Sequence, residues 1–348
     1  MDVGDDSHIY LDISMKYSEA TDIANYGRQA TYQATKTQPI ISNPEKYHVS
    51  VDRFQISGRS LPIYVFDPAS PPAVWLEYGG FSVKTDFVFT YQATTPPSPA
   101  IVPFNKYYHV YDIQHYMNMM NTAFATAFTA LGGLVVLPVG SVAPYIVWDA
   151  PSGLASVYAQ DAFYDLTLGA PIKIFWNTAV HDVILFLPLF FDSLDKWQLR
   201  VLDYRNNTET IAGAPWLFIK QQANGASGWN YVKSIIFTSS SIPVAGTYTS
   251  LNSQASNSNA VNDDDTNALA ILTDFKIDPT YPMSQRTDLL YVAQDNTRKL
   301  DMQGNTPLKN ININIFWSDT AGNLYPLVIS RNQEASIKLL FTKKTQDF

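Results

Sequence analysis

Apolar side chains recur at every second residue near both ends of this chain, and that period commits those segments to β-strands. Ile9, Leu11, Ile13, Met15 and Tyr17 alternate with Tyr10, Asp12, Ser14 and Lys16, the pattern of a strand with one wet face. Close to the other end, Ile311, Ile313, Ile315 and Trp317 alternate with Asn310, Asn312, Asn314 and Phe316. In the segment from Tyr47 to Ile56 the apolar set runs Tyr47, Val49, Val51 and then Phe54, Ile56. The phase slips by one residue at Asp52-Arg53, which predicts a β-bulge.

Further strands are expected at Pro62–Phe66, Tyr145–Trp148, Leu154–Tyr158, Ile172–Trp176, Tyr231–Thr238, Leu269–Ile277, Leu289–Ala293, Leu324–Ile329 and Ala335–Thr342. Val74–Tyr78 and Ser82–Phe89 form a hairpin turning at Gly79-Gly80. A second hairpin turns at Asp319–Asn323. Asp182–Phe191 fits either a strand or a short helix broken at Pro188. One segment has a different period. Ile113, Tyr116, Met117, Met120, Phe124, Ala127, Phe128 and Leu131 recur at helical spacing. Asp112 is placed to cap that helix, and Gly132-Gly133 to end it. Its opposite face carries Gln114, His115, Asn118 and Asn121, so the expectation is an amphipathic surface helix over 112–131.

The fold class is therefore all-β, a jelly-roll β-sandwich with an inserted, partly β region that carries the helix. The chain has 348 residues, long for one sandwich and short for two full domains. Ala93–Pro103 is rich in Pro, Thr and Ser, and Gln221–Gly228 is polar and contains Gly. These mark the expected edges of the insertion, giving 1–92 and 226–348 as sandwich and 93–225 as insertion. Thr247–Asn267 is polar and reads as a surface loop.

Only 16% of residues are charged, while Tyr (21) and Phe (19) dominate an aromatic content of 14%. Such a chain has little material for a fully solvated surface, and Tyr suits wide contact areas with other subunits. The net charge of −8 argues against a broad face for nucleic acid. The absence of cysteine excludes disulfides, thiolate nucleophiles and Cys-ligated zinc. The acidic start Met1–Asp6 has no basic region followed by an apolar run, so no signal peptide is expected. The most apolar stretches, Leu131–Val139 and Val183–Phe191, are too short to span a bilayer.

No constellation with catalytic, cofactor-binding or metal-binding character emerges. His8, His48, His109, His115 and His181 have no zincin spacing. Asn262–Asn267 carries three aspartates but lacks the Gly and Glu of a calcium-binding loop. Gly79-Gly80 and Gly132-Gly133 read as turn and cap rather than phosphate loops, and there is no nucleophile elbow. Asn206-Asn207-Thr208 matches a glycosylation sequon by composition alone. Arg331, Lys338, Lys343 and Lys344 make the C-terminus locally basic, which reads as a solvated strand edge or as contact with an acidic neighbour or packaged nucleic acid.

Several segments together carry a family resemblance: Pro39–Phe54, Leu61–Val65, Ile236–Ser239 with Ile242-Pro243-Val244, Leu272–Phe275, and Ile311–Trp317 through to Phe341. The set resembles the minor capsid (penton) proteins of virophages and polinton-like viruses. The resemblance implies a jelly-roll base forming homopentamers at the vertices of an icosahedral virus particle. It further implies a virion location, assembly inside the host cell and the major capsid protein as neighbour. It implies no catalytic residue, cofactor or metal.

The alternative reading is a receptor- or glycan-binding β-sandwich, for which Trp148, Trp216 and Trp229 are the stacking candidates. A glycoside hydrolase would need a pair of close carboxylates, and nothing in the spacing favours one.

Overall fold

The computed structural model describes residues 7–16, 28–58, 61–66, 69–90, 108–202, 207–223, 229, 231–244, 248–249, 269–277, 288–293, 298–319, 322, 324–329 and 333–344. Two compact units emerge, one formed by 1–62, 99–105 and 231–348 and the other by 63–98 and 106–230.

Among the described residues, eight strands frame the first unit: β1 (His8–Lys16), β2 (Thr31–Thr35), β3 (Tyr47–Ile56), β4 (Ser234–Ser239), β5 (Leu269–Lys276), β6 (Leu289–Val292), β7 (Asn310–Ser318) and β8 (Glu334–Lys343); short strands such as Tyr248–Thr249, Leu300–Asp301 and Leu324–Pro326 extend them. One sheet has the order β1-β8-β3-β6, and the other runs β5-β4-β7 with β2 also on β7. All of these pairings are antiparallel. The pairs nest: first with eighth, second with seventh, third with sixth, fourth with fifth. This wiring is that of a jelly roll, two sheets that bury their facing sides against each other.

The alternation in the sequence supplies the buried sides. Ile13, Met15, Val49, Val51, Ile311, Ile313, Ile315, Ile337, Leu339 and Phe341 are all buried. Phe54 from β3 meets Phe237 of β4 at 5.2 Å and Phe275 of β5 at 4.4 Å between ring centroids. It also stacks on Tyr291 of β6 at 5.6 Å. Rings from both sheets thus interlock in one core cluster. Phe316, on the face of β7 opposite Ile315, joins a smaller buried cluster with Ile236 and Leu324.

The expected bulge is present. Leu339 pairs with Val51 and Lys338 with Arg53, leaving Asp52 as the extra residue. Without it, Val49 and Phe54 could not face the same core, because successive side chains alternate sides.

The second unit contains a four-stranded sheet, ordered Asn207–Ile211, Ala214–Lys220, Leu154–Gln160, Tyr145–Asp149. Its five-stranded sheet is ordered Leu189–Ser193, Lys196–Leu199, Lys173–Trp176, Ala73–Tyr78, Phe81–Asp86. Residues 63–92, assigned from sequence to the sandwich, fall here as far as they are described. Ala73–Tyr78 finds its partners in Lys173–Trp176 and Phe81–Asp86, which lie in this unit. The Pro-rich Ala93–Pro103 lies outside the described residues. Gly79 (φ 58°) and Gly80 (φ 84°) make the two-residue turn of the predicted hairpin, a conformation that favours glycine.

The long helix, α1 (Ile113–Leu134), is capped by Asp112, which accepts from the Gln114 amide at 2.8 Å. Of the predicted stripe it buries Ile113, Tyr116, Met117, Met120, Phe124, Ala127 and Leu131, while Phe128 is half-buried. It does not stop at Gly132-Gly133 but runs through them to Leu134. Neither glycine adopts a positive φ, so neither serves as the left-handed cap that ends many helices. Two single-turn helices, Asp161–Tyr164 and Thr178–His181, were not predicted. The ambiguous Asp182–Phe191 resolves into irregular backbone followed by the strand Leu189–Ser193.

Candidate assembly surfaces

Four buried or half-buried carboxamides tie backbone segments of the second unit together. Asn121, on the polar face of α1, donates to the Ile146 carbonyl at 2.9 Å and accepts from the Ile146 amide at 2.7 Å. Asn177 accepts from the Ala73 amide at 3.0 Å and donates to the Pro71 carbonyl at 3.0 Å. Gln221 accepts from the Ala155 amide and donates to the Leu185 carbonyl, both at 2.6 Å. Gln160 accepts from the Val142 amide at 2.9 Å and donates to the Gly140 carbonyl at 3.3 Å. A carboxamide carries a donor and an acceptor like a peptide group, so it satisfies backbone where no strand partner is available. Single-sequence pattern reading missed all four, because it treats Asn and Gln as surface markers.

In the same unit, two stretches each carry four exposed apolar side chains. One follows α1: Leu134, Val136, Val139 and Val142 are exposed, Val139 almost completely (97%). The other comprises Phe186, Phe190, Phe191 and Leu194, with Leu194 93% exposed. Arg200 lies over the Phe190 ring at 3.7 Å. Phe191 packs edge-on against Trp197 at 5.3 Å, and Trp197 stacks on His181 at 4.0 Å. Phe186 adopts φ 65°, where a bulky L-residue is strained by roughly 1–2 kcal/mol. Sequence pattern missed this hairpin; the turn residues Leu194-Asp195, just before Lys196-Trp197, are the signal that could have found it.

The outer side of the β1-β8-β3-β6 sheet mixes ion pairs with the exposed apolar side chains Leu290 and Val292. Arg53 pairs with Asp12 at 3.4 Å, Lys16 with Glu334 at 3.4 Å and Lys338 with Asp52 at 3.7 Å. Lys338 also lies over the Tyr10 ring at 4.5 Å. Such exposed pairs contribute little each, but they leave that face locally charge-balanced.

The basic C-terminus is not a solvated strand edge. β8 lies between β1 and β3, because the N-terminal strand covers its outer side. Lys338 is matched by Asp52, and Lys344 by Asp301 at 3.1 Å. Lys344 is the main reason that the Asp301 carboxyl is held below its ordinary pKa, with His48 at 2.9 Å adding to it. Arg331 lies outside the described residues.

The other histidines are dispersed too. His8 meets Ser7, His115 meets Thr90 and His181 meets Asp182. Burial lowers the pKa of His115, against smaller opposing effects of Thr90 and Asp112. Enclosure of the His109 ring lowers its pKa to about 4, although the residue as a whole keeps some exposed surface. Burial also raises the pKa of Tyr116 and of Tyr164, whose hydroxyl donates to the Val142 carbonyl at 2.6 Å. Among the described residues no three His, Asp or Glu gather as a metal site, and no helix is long and apolar enough to cross a membrane. The acidic loop Asn262–Asn267 and sequon residue Asn206 lie outside the described residues.

The tryptophans proposed for sugar stacking are packed inward. Trp229 is buried against Tyr116 at 5.2 Å and Trp216 is buried against Tyr145 at 5.4 Å. Trp148 is half-buried near Trp229 at 6.5 Å.

Comparison with known proteins adds a consistent set of likenesses. A family model described as Sputnik minor capsid protein V18/19 matches residues 9–343. Structural protein V19 of Sputnik virophage is 31% identical over 216 residues, covering 57% of this chain and 93% of the relative. Uncharacterized protein V18 of the same virophage is 32% identical over 135 residues, covering 33% of this chain and 78% of the relative. A chain in the 3.5 Å cryo-EM structure of the Sputnik virophage superposes with a TM-score of 0.73 at 25% identity, over 97% of this chain and 98% of that one. The mavirus penton protein crystal structure superposes with a TM-score of 0.63 at 15% identity, over 97% and 100%, a likeness of fold.

Proposed function

Because the chain belongs to the Sputnik minor capsid protein V18/19 family, and is thus a structural component of a virion rather than an enzyme, we propose that it forms homopentamers at the capsid vertices. The carrying observation is the extent of the family match. It runs from within β1 to the last residue of β8, so it includes both sheets of the jelly roll and the whole second unit.

A jelly roll closed by pairing its first and last strands is a self-contained block. Five such blocks form a ring through heterologous contacts, in which one surface of each subunit meets a different surface of the next. The low charge and the exposed Phe, Val and Leu side chains of the second unit suit such contacts. The outer partner in this reading is the major capsid protein, which surrounds each vertex. A receptor- or glycan-binding role draws no support from the tryptophans, none of which is exposed.

Native mass spectrometry of the purified full-length protein tests the proposal. A dominant five-subunit species is expected. A protein that stays monomeric at all concentrations, and does not associate with major-capsid-protein capsomers, overturns it.

A further inference from the structure

The five-stranded sheet of the second unit ends in two edges that no strand covers among the described residues. Leu189–Ser193 forms one edge and Phe81–Asp86 the other. Both are open to solvent. Phe190, Phe191, Asp192 and Ser193 are exposed on the first, and Phe81, Ser82, Lys84 and Asp86 on the second. A free edge with apolar side chains is a template for pairing with another chain, and neither strand contains the proline that commonly blocks it.

The directions of the two edges also fit each other. Every neighbouring pair in the sheet is antiparallel, and there are five strands, so the two edge strands run the same way. A rotation about an axis along the strands preserves that direction. Copies related by such a rotation therefore bring these two different edges together as parallel neighbours. That is a heterologous contact, the kind a closed ring needs.

Aligning the two strands from their first residues sets Phe81 beside Leu189, Val83 beside Phe191 and Lys84 beside Asp192. Apolar meets apolar at two positions, and opposite charges meet at the third. A bulge between Phe191 and Ser193 leaves the Asp192 backbone outside the regular ladder. Lys84 and Asp192 are about half exposed; Lys84 pairs with Asp86 at 3.1 Å and lies 5.3 Å over the Trp75 ring, and Asp192 meets Lys196 at 3.8 Å. Such surface pairs exchange at little cost.

We propose that the Phe81–Asp86 edge of one subunit docks on the Leu189–Ser193 edge of a second copy, with Lys84 facing Asp192. This inference rests on the pentamer reading above, and its test separates the two. Lys84→Glu and Asp192→Lys each raise, by at least tenfold, the protein concentration at which the ring half-dissociates, and the double exchange restores it. Both sites are exposed, and circular dichroism checks that the variants fold. Independently, the cysteine-free chain is given Ser82→Cys and Ser193→Cys together and treated with a short bismaleimide. A ladder extending beyond dimers is expected, with none from either single variant.

A wild-type pentamer whose stability ignores both charge reversals and whose double-cysteine variant gives no ladder overturns the edge contact and leaves the pentamer standing. Dimers from a single-cysteine variant indicate a symmetric contact and also overturn it. A strictly monomeric wild type overturns both.

Discussion

The side chain of Asn121 closes a ring with the backbone of Ile146, donating to its carbonyl at 2.9 Å and accepting from its amide at 2.7 Å. Helix and strand are thereby joined by the same two bonds that would link two strands. Asn121→Ala leaves both peptide groups without these partners. It is expected to destabilise the protein by about 2–4 kcal/mol, since each lost buried bond costs roughly 1–2 kcal/mol. Asn121→Asp keeps the acceptor and loses the donor, so its loss is similar or larger. Urea denaturation of both variants measures this, and a change under 0.5 kcal/mol, about the size expected of a plain surface site, would show that the ring is not structural.

Asp52 matters as an inserted residue more than as a charge. Its ion pair with Lys338, at 3.7 Å, predicts a loss within about 1 kcal/mol for Asp52→Ala. Deleting Asp52 removes the bulge and turns either Tyr47, Val49 and Val51 or Phe54 and Ile56 away from the core. The deletion variant is expected not to fold, as read by near-ultraviolet circular dichroism and protease sensitivity. A folded deletion variant would refute the register argument.

Phe54 touches aromatic rings of three other strands, from both sheets. Phe54→Ala is therefore expected to cost about 3–5 kcal/mol. Phe54→Leu should cost less, because it leaves a smaller cavity. Comparing the two by thermal or chemical denaturation separates cavity formation from loss of a simple apolar contact.

His109 should give the protein an acid-sensitive limb. Its folded-state pKa is near 4, below the ordinary 6.5, so the unfolded chain binds the proton more tightly. Stability is complete above about pH 6.5 and is lost as the pH falls towards 4, by on the order of 3 kcal/mol. His109→Phe should flatten the stability profile in that window. An unchanged slope in the variant would assign the acid limb to other groups.

Much of the sandwich was legible in the sequence, because a half-buried strand writes its orientation into every second residue. The alternation at Ile9–Met15 and Ile311–Trp317, the slip at Asp52-Arg53 and the Gly79-Gly80 turn all appear where local pattern placed them; Tyr17 lies outside the described residues. The stripe from Ile113 to Leu131 likewise marks the buried side of the helix. The glycines after it misled, because a glycine permits a helix end without requiring one.

Residue pattern alone was enough for local features: which segments are strands, which residues face inward, and which family the whole resembles. Which strands become partners depended on the folded core. That His8–Lys16 lies beside Glu334–Lys343 turned a supposed basic edge into the interior of a sheet. That Ala73–Asp86 pairs within the second unit moved the boundary to Pro62. The physical reason is the same in each case. Side-chain period reports only whether a residue is buried, whereas backbone hydrogen bonds between strands look alike whatever the sequence. Which two strands share them is settled by the packing of the entire core, and so is the use of Asn121 as a peptide-like clamp rather than a solvated side chain.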